Sequence, residues 1–310
     1  MHEPAQAGHA PMEGHFVRTR RAPRLLAIAL ASLALGATTL ATTSASAGAA
    51  DSNSLSVTAS EYTYKFGGSP DQGWVTMKFT NSGVEPHMMA VVKLKSGVTA
   101  AQLKKAALAQ NDAAFAKIAD PKNADVSGMP QLLSPKQSTT TTTEMVAGHY
   151  GVLCFVPDAH GMPHMQHGMV KTFDVGSAKS SAEPPADGVH DVTLTDTSIT
   201  LPSTGMPKSG TLKVTNEGSS PHSMVLVKLA AGKGIDEAFT YFNTWFDSGT
   251  KPAGDEPGTV VGGVSTMAPN GVAYLTVDLA PGSYGYASTE SDSSNAQDAD
   301  KGLKGQFTIS

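Results

Sequence analysis

At 310 residues, 40% hydrophobic and 16% charged, with 31 Gly and 19 Pro, the chain has the balance of a soluble protein of about two domains. Aromatics make up only 6%, so the core must rest on Val, Leu, Ile, Ala and Met. A formal net charge of −5 excludes the broad basic surface that nucleic-acid binding needs.

Residues 1–47 read as a signal peptide. Arg18, Arg20, Arg21 and Arg24 precede an apolar run from Leu25 to Ala41, and Ala45-Ser46-Ala47 follows as a cleavage site. The run is Ala-rich and short for a membrane anchor. Arg20-Arg21 after Thr19 is a partial twin-arginine pattern, with Ala22-Pro23 where that signal prefers apolar residues. Removing four arginines and two glutamates leaves 18 basic against 25 acidic residues, a mature charge of −7. An exported protein with one cysteine forms no internal disulfide, so its thiol calls for an occupant.

Alternation and β-branched runs predict strands at 55–66, 74–80 and 87–94. "TAAQLKKAALAQ" (99–110) spaces its apolar residues as a helix does. Further strands follow at 138–145, 149–155 and 169–175, of which "STTTTTEM" reads as an exposed or edge strand. "SAKSSAEPPADG" (177–188) is a Ser/Pro-rich linker. The plan then repeats. Thr80-Asn81, Gly83 and Pro86-His87 recur as Thr215-Asn216, Gly218 and Pro221-His222. Residues 147–176 align without a gap to the stretch from Pro281 to Ser310, matching Gly148, Tyr150 and Gly151 with Gly282, Tyr284 and Gly285. "GIDEAFTYFNTWFDS" (234–248) is the helical insertion of the second copy. The fold class expected is all-β: two tandem Greek-key β-sandwiches, 54–176 and 189–310, each with a short helical insertion.

"CFVPDAHGMPHMQHGM" (154–169) concentrates the chemistry: the lone Cys154, then His160, His164 and His167 among Met162, Met165 and Met169. His87 begins a strand, Cys154 ends one, and His164 and Met169 flank the return into the last strand. In a sandwich these positions share one pole. Two imidazoles, a thiolate and a weak axial thioether make a blue-copper electron-transfer site. Singly, each residue has a plainer reading, a buried small hydrophobe or a surface imidazole; their joint placement favours metal. His222 reads as a structural residue bonding a loop carbonyl, and His149 and His190 as surface residues. His160, Met88, Met89, Met162 and Met165 form a softer collar for Cu(I) or simple gap-filling.

These residues resemble the cupredoxin family. The resemblance rests on Asn81 with Pro86-His87, on Tyr150 with Cys154, and on Pro163-His164 with Gly168-Met169 before a strand. It covers most of 54–176 and, in degraded form, 189–310. It implies one type 1 copper held by His87, Cys154, His164 and Met169, an exported carrier of single electrons, a protein redox partner, and contact with that partner at the pole where the His164 edge approaches the surface. Nine residues separate Cys154 from His164, a longer loop than plastocyanin's, which leaves His160 as an alternative to His164. Met88 stands where the family commonly has an Asn bracing the thiolate.

The second copy supplies a control. Cys154 becomes Ser288, His164 becomes Asp298, Met169 becomes Leu303, and only His222 answers to His87. The second sandwich therefore reads as metal-free. Copper enzymes built from such domains need further histidines, yet Leu153 precedes Cys154, 88–94 holds no histidine, and the second copy offers only His190 and His222. An enzyme is not expected. The alternatives are a copper storage or delivery protein using the His/Met loop, and a metal-free binding module.

Overall fold

The computed structural model describes residues 53–109, 111–121, 126–292 and 296–310, so the presequence lies outside the described residues. The first half contains β1 (Ser54–Ser60), β2 (Thr63–Gly67), β3 (Asp71–Asn81), β4 (Ala90–Leu94), α1 (Ala100–Leu108), α2 (Asp112–Ile118), β5 (Ser138–Met145), β6 (Gly148–Leu153) and β7 (Val170–Lys179). The second contains β8 (Val189–Leu194), β9 (Ile199–Thr200), β10 (Ser209–Asn216), β11 (His222–Leu229), α3 (Ile235–Ser248), β12 (Gly258–Met267), β13 (Val272–Asp278), β14 (Gly282–Ala287) and β15 (Lys304–Ile309).

Period-two patterning builds each strand. β1 turns Leu55, Val57 and Ala59 inward, and β3 turns Val75, Met77 and Phe79 inward. In the first half, β2, β1, β3 and β5 form one sheet, with β1 parallel to β3, and β4, β6 and β7 form the facing layer. The two layers touch edge to edge where Asp71 of β3 meets Gly176 of β7. The second half repeats the plan with β9, β8, β10 and β13 against β12, β11, β14 and β15. The all-β sandwich expected from the sequence is what forms. β7 continues to Lys179, into the stretch read as linker.

The helices lie where their periodicity put them. Thr99 caps α1 through a capping box with Gln102, and Leu103, Ala106 and Ala107 are its buried face. Leu103 and Ala107 pack with Val92, Leu94 and Met165. α2, capped by Asn111, is an element that the sequence reading missed; its seven residues are too few for a clear period. No helix among the described residues is long and apolar enough to cross a membrane.

The "STTTTTEM" strand is not an edge. β5 pairs with β3 on one side and, through Thr140–Thr143, with Ala273–Thr276 of β13 on the other. Thr139, Thr141, Thr142 and Thr143 are buried. Two of these hydroxyls are partnered, Thr142 with Thr76 at 3.0 Å and Thr143 donating to the Ser127 carbonyl at 2.9 Å, while Thr141 Oγ1 has no hydrogen-bond partner. Beside this junction the Ser265 N–H donates to Met129 O at 2.8 Å, and the Ser134 N–H to Val260 O at 3.0 Å. The halves thus share a sheet, and a single apolar cluster runs from Met89, Leu133 and Val156 to Val227, Phe242 and Trp245.

Candidate metal centre

Three of the four expected ligands converge. His87, Cys154 and His164 are all buried, and their donor atoms lie within 4.8 Å of one another. The Nδ1 atoms of the two imidazoles are 3.1 Å apart, and Cys154 Sγ is 3.4 Å from His164 Nδ1. Met169 is likewise fully buried. His160 is exposed, so His164, not His160, stands with the thiol. Met89 is buried in the same apolar cluster as Cys154 and Met169, and Met165 in the one that holds Leu103 and Ala107.

Backbone bonds fix each donor. His87 exchanges both hydrogen bonds with Leu133, at 3.0 and 2.9 Å. Asn81 clamps the loop before it, donating to Glu85 O and Leu133 O while accepting from the Gly83 N–H. The Cys154 N–H donates to Met169 O at 3.2 Å, the Met165 N–H to Cys154 O at 2.9 Å, and the Met169 N–H to His164 O at 3.2 Å. A short 3₁₀ turn over His164–His167 makes this closure possible, ended by Gly168 at φ 108°. Asp158, buried in the same loop, accepts the His160 and Met162 N–H groups at 2.8 Å each and pairs with His167 Nε2 at 2.8 Å. From the other half, Gly249 at the end of α3 abuts Gly161, where an added Cβ would stand 3.0 Å from the Gly249 carbonyl oxygen.

The cover over this pole differs from expectation. His164 is 0% exposed, not an imidazole edge at the surface. Tyr62 lies over it with ring centroids 4.8 Å apart and stacks on His167 at 4.4 Å. Glu85 Oε2 stands 3.1 Å from His164 Nε2, and Glu61 Oε1 3.5 Å from His87 Nε2. These pairs are not aligned as hydrogen bonds, for both Nε2 atoms and Glu85 Oε2 lack a bonded partner. The cover comes from the β1–β2 turn and the 82–86 loop, which sequence periodicity does not place over a distant loop. Glu61 is held at about 2: burial raises it, but its own N–H and those of Val84 and Glu85 outweigh that.

Burial pushes the Cys154 thiol up to about 12 despite hydrogen bonds from the Met88 and Val156 N–H groups. Burial, reinforced by His87, lowers His164 to about 4, and burial lowers His87 too. Without a metal the pole is thus a neutral thiol and two neutral imidazoles in mutual contact. That donor set fits copper: two borderline nitrogens and one soft sulfur that ionises when a cation displaces its proton. The Met88 N–H supplies a brace that the Met88 side chain does not.

The corresponding pole of the second half is closed by hydrogen bonds. His222 Nδ1 meets Asp298 Oδ2 at 2.6 Å, and His222 Nε2 meets Asp196 Oδ1 at 3.1 Å. Ser288 donates to the same Asp298 oxygen at 2.8 Å and accepts the Ser223 N–H at 3.1 Å. His222 therefore bonds two carboxylates rather than a loop carbonyl. His149 is also better partnered than a surface residue, bridging Asp174 Oδ1 at 2.6 Å and Val98 O at 2.8 Å.

No family model matches the chain, and no curated protein does. Among solved structures it is similar to the dithionite-reduced auracyanin of Roseiflexus castenholzii, at 20% identity over 41% of this chain and 99% of that one, with a TM-score of 0.27. A multicopper oxidase is 12% identical over 83% of this chain and 88% of that one, at 0.23. A copper-containing nitrite reductase of Thermus scotoductus is 10% identical over 82% and 60%, at 0.21. These scores are low, so the functional reading rests on the pole's own geometry.

Proposed function

We propose that the chain is an exported blue copper protein that carries single electrons between redox partners outside the cytoplasm. One observation carries this reading: the buried convergence of His87 Nδ1, His164 Nδ1 and Cys154 Sγ. His87, Cys154 and His164 would hold one type 1 copper, with Met169 as the axial ligand. Bound copper would supply the one-electron Cu(II)/Cu(I) couple. The protein's part is to hold the donors in one arrangement through the Leu133 bridge and the closed 154–169 loop, which limits reorganisation as charge changes.

In this reading residues 54–176 are the copper-binding domain, 189–310 are a metal-free partner of the same plan, and residues 1–47 direct export. The function is transfer rather than catalysis, because the polypeptide around Cys154 offers Leu153 and a histidine-free 88–94 where a second copper centre needs histidines. The redox partner meets a pole covered by Tyr62, His167, Glu61 and Glu85, so electrons pass through that aromatic pair. The acidic mature chain favours a basic patch on the partner.

The test is an absorption spectrum of mature protein loaded with Cu(II), beside Cys154→Ser. An intense thiolate-to-copper band, absent from the variant and bleached reversibly by reductant, is the expected result. Stoichiometric copper without the band would replace electron transfer by storage or delivery. Absence of copper binding would leave a binding module.

A further inference from the structure

The loop that carries His164 hangs on a carboxylate, and the second half repeats the device without the metal-binding donors. The Asp158 N–H donates to Met162 O at 2.9 Å, Asp158 Oδ1 accepts the Met162 N–H at 2.8 Å, and Oδ2 pairs with His167 Nε2 at 2.8 Å. Asp292 does the same: its N–H donates to Ala296 O at 3.0 Å, its Oδ1 accepts the Ala296 N–H at 3.0 Å, and its Oδ2 pairs with Lys301 Nζ at 2.9 Å. Pro157 bridges Pro163 as Ser291 bridges Gln297, and each loop ends in a 3₁₀ turn closed by a glycine, Gly168 at φ 108° and Gly302 at φ 110°. The frame is common to both poles; what hangs on it is not. Lys301 also reaches Asp298 Oδ1 at 3.5 Å, directly covering the residue at the His164 position. His167 instead stacks on Tyr62, with 4.4 Å between ring centroids and 22° between planes, and Tyr62 lies against His164. The registers of β1 with β2 and of β8 with β9 put Thr197 where Tyr62 stands. An aromatic pair thus replaces a lysine and a threonine at the pole where the donors converge.

We propose that Tyr62 and His167 are positioning residues for His164: a stacked cover, hung on Asp158, that shuts this imidazole and a metal on it away from water and small ligands. The inference rests on the copper reading above. Each group has one task. Asp158 fixes His167 through Nε2, His167 offers Tyr62 a flat face, and Tyr62 closes over His164. Two stacked rings hold each other beyond what burial of either gives. A lysine satisfies the carboxylate equally well, as Lys301 shows, but offers no face. The imidazole at position 167 is therefore explained by Tyr62 and not by Asp158. A closed aromatic cover also keeps the surroundings of a bound metal apolar, which disfavours the more highly charged Cu(II) and raises the potential.

The experiment labels metal-free protein with diethyl pyrocarbonate and follows His164 by peptide mass spectrometry. It compares wild type with His167→Lys and Tyr62→Thr, each of which installs the residue of the second half. His164 is 0% exposed and should label slowly in wild type. Either variant should label it roughly tenfold faster, the weight of one aromatic pair in a local opening. Phe307→Leu is the control. It breaks a stack on Tyr284, at 5.3 Å in the second half, and should cost stability while leaving His164 labelling in place. Copper-loaded His167→Lys should have a lower potential than wild type and gain a new absorption on addition of azide, to which wild type should be silent. Unchanged His164 labelling in both variants, or an equal rise in Phe307→Leu, overturns the proposal, as does a copper-loaded variant with wild-type potential and no response to azide. The labelling needs no metal, so it decides the cover separately from the copper reading, which falls if wild type shows no thiolate-to-copper band.

Discussion

The two poles of this molecule are built on one backbone plan and end in opposite chemistry. Asn81 and Asn216 clamp their loops in the same way, each donating to two carbonyls and accepting an N–H two residues on. The Ser288 N–H donates to Leu303 O and the Leu303 N–H to Asp298 O, repeating the bonds among Cys154, Met169 and His164. Glu61 and Asp196 occupy the same place beside His87 and His222. What differs is satisfaction. At the second pole the buried serine, aspartate and histidine complete one another. At the first, the two Nδ1 atoms and Cys154 Sγ contact one another, while the buried Nε2 atoms of His87 and His164 and Glu85 Oε2 have no hydrogen-bond partner. Buried polar atoms left without a partner call for an explanation, and a ligand at this pole supplies one.

Converting one pole into the other gives the largest expected effect. The double variant Cys154→Ser/His164→Asp should lose copper binding altogether, measured by titration calorimetry and by loss of the charge-transfer band. Its copper-free form should nevertheless be more stable than copper-free wild type, by about 1–2 kcal/mol in urea unfolding, because the new serine and aspartate satisfy His87. A double variant less stable than wild type would break the comparison.

Opening the second pole comes next. Asp298→Ala removes the partner of His222 Nδ1 and of the Ser288 hydroxyl proton, leaving His222 its Asp196 contact, and should cost about 3 kcal/mol. Copper-loaded spectra should be unchanged, since the network touches none of the first pole's donors. Unchanged stability would mean that the hydrogen bonds at this pole are incidental.

A smaller effect tests the contact between halves. Gly161 has φ 77° and meets Gly249 backbone to backbone, so Gly161→Ala should cost about 1–2 kcal/mol. Because the loop carries His164, the charge-transfer band should shift as well. Gly254→Ala, with φ 96° and no neighbour within 4 Å, should bring the backbone strain without the spectral shift.

The smallest effect is in pH dependence, and its sign differs between the poles. In copper-free protein His164 is held at about 4 against an ordinary 6.5, so it stays neutral while the unfolded chain takes up a proton. Its contribution is therefore full above 6.5 and is lost as pH falls toward 4. At the second pole burial pushes His222 down, but Asp298 and Asp196 carry it above 6.5. Its contribution is full below 6.5 and is lost as pH rises through its raised value. Urea midpoints across this range should fall on the acid side for wild type and fall less for the Cys154→Ser/His164→Asp double variant.

The sequence by itself determined most of the strands, both long helices, the repeat and the trio His87, Cys154 and His164, but the run read as one strand over 55–66 folds back at 61–62 into the antiparallel pair β1 and β2. Alternation, capping and ligand chemistry are local or self-referential signals, and the ungapped match of Cys154, His164 and Met169 to Ser288, Asp298 and Leu303 needed only counting. Tertiary structure decided the rest. Five threonines in a row read as an edge until β13 covered them, since no local pattern names a strand's second neighbour. The sequence favoured His164 through Pro163-His164 and Gly168-Met169 but left His160 as an alternative, and the closed turn over His164–His167 buries His164 while His160 is exposed. Tyr62, Glu61 and Glu85 reached the pole from segments about 70 to 100 residues away in the chain, a distance that only folding removes.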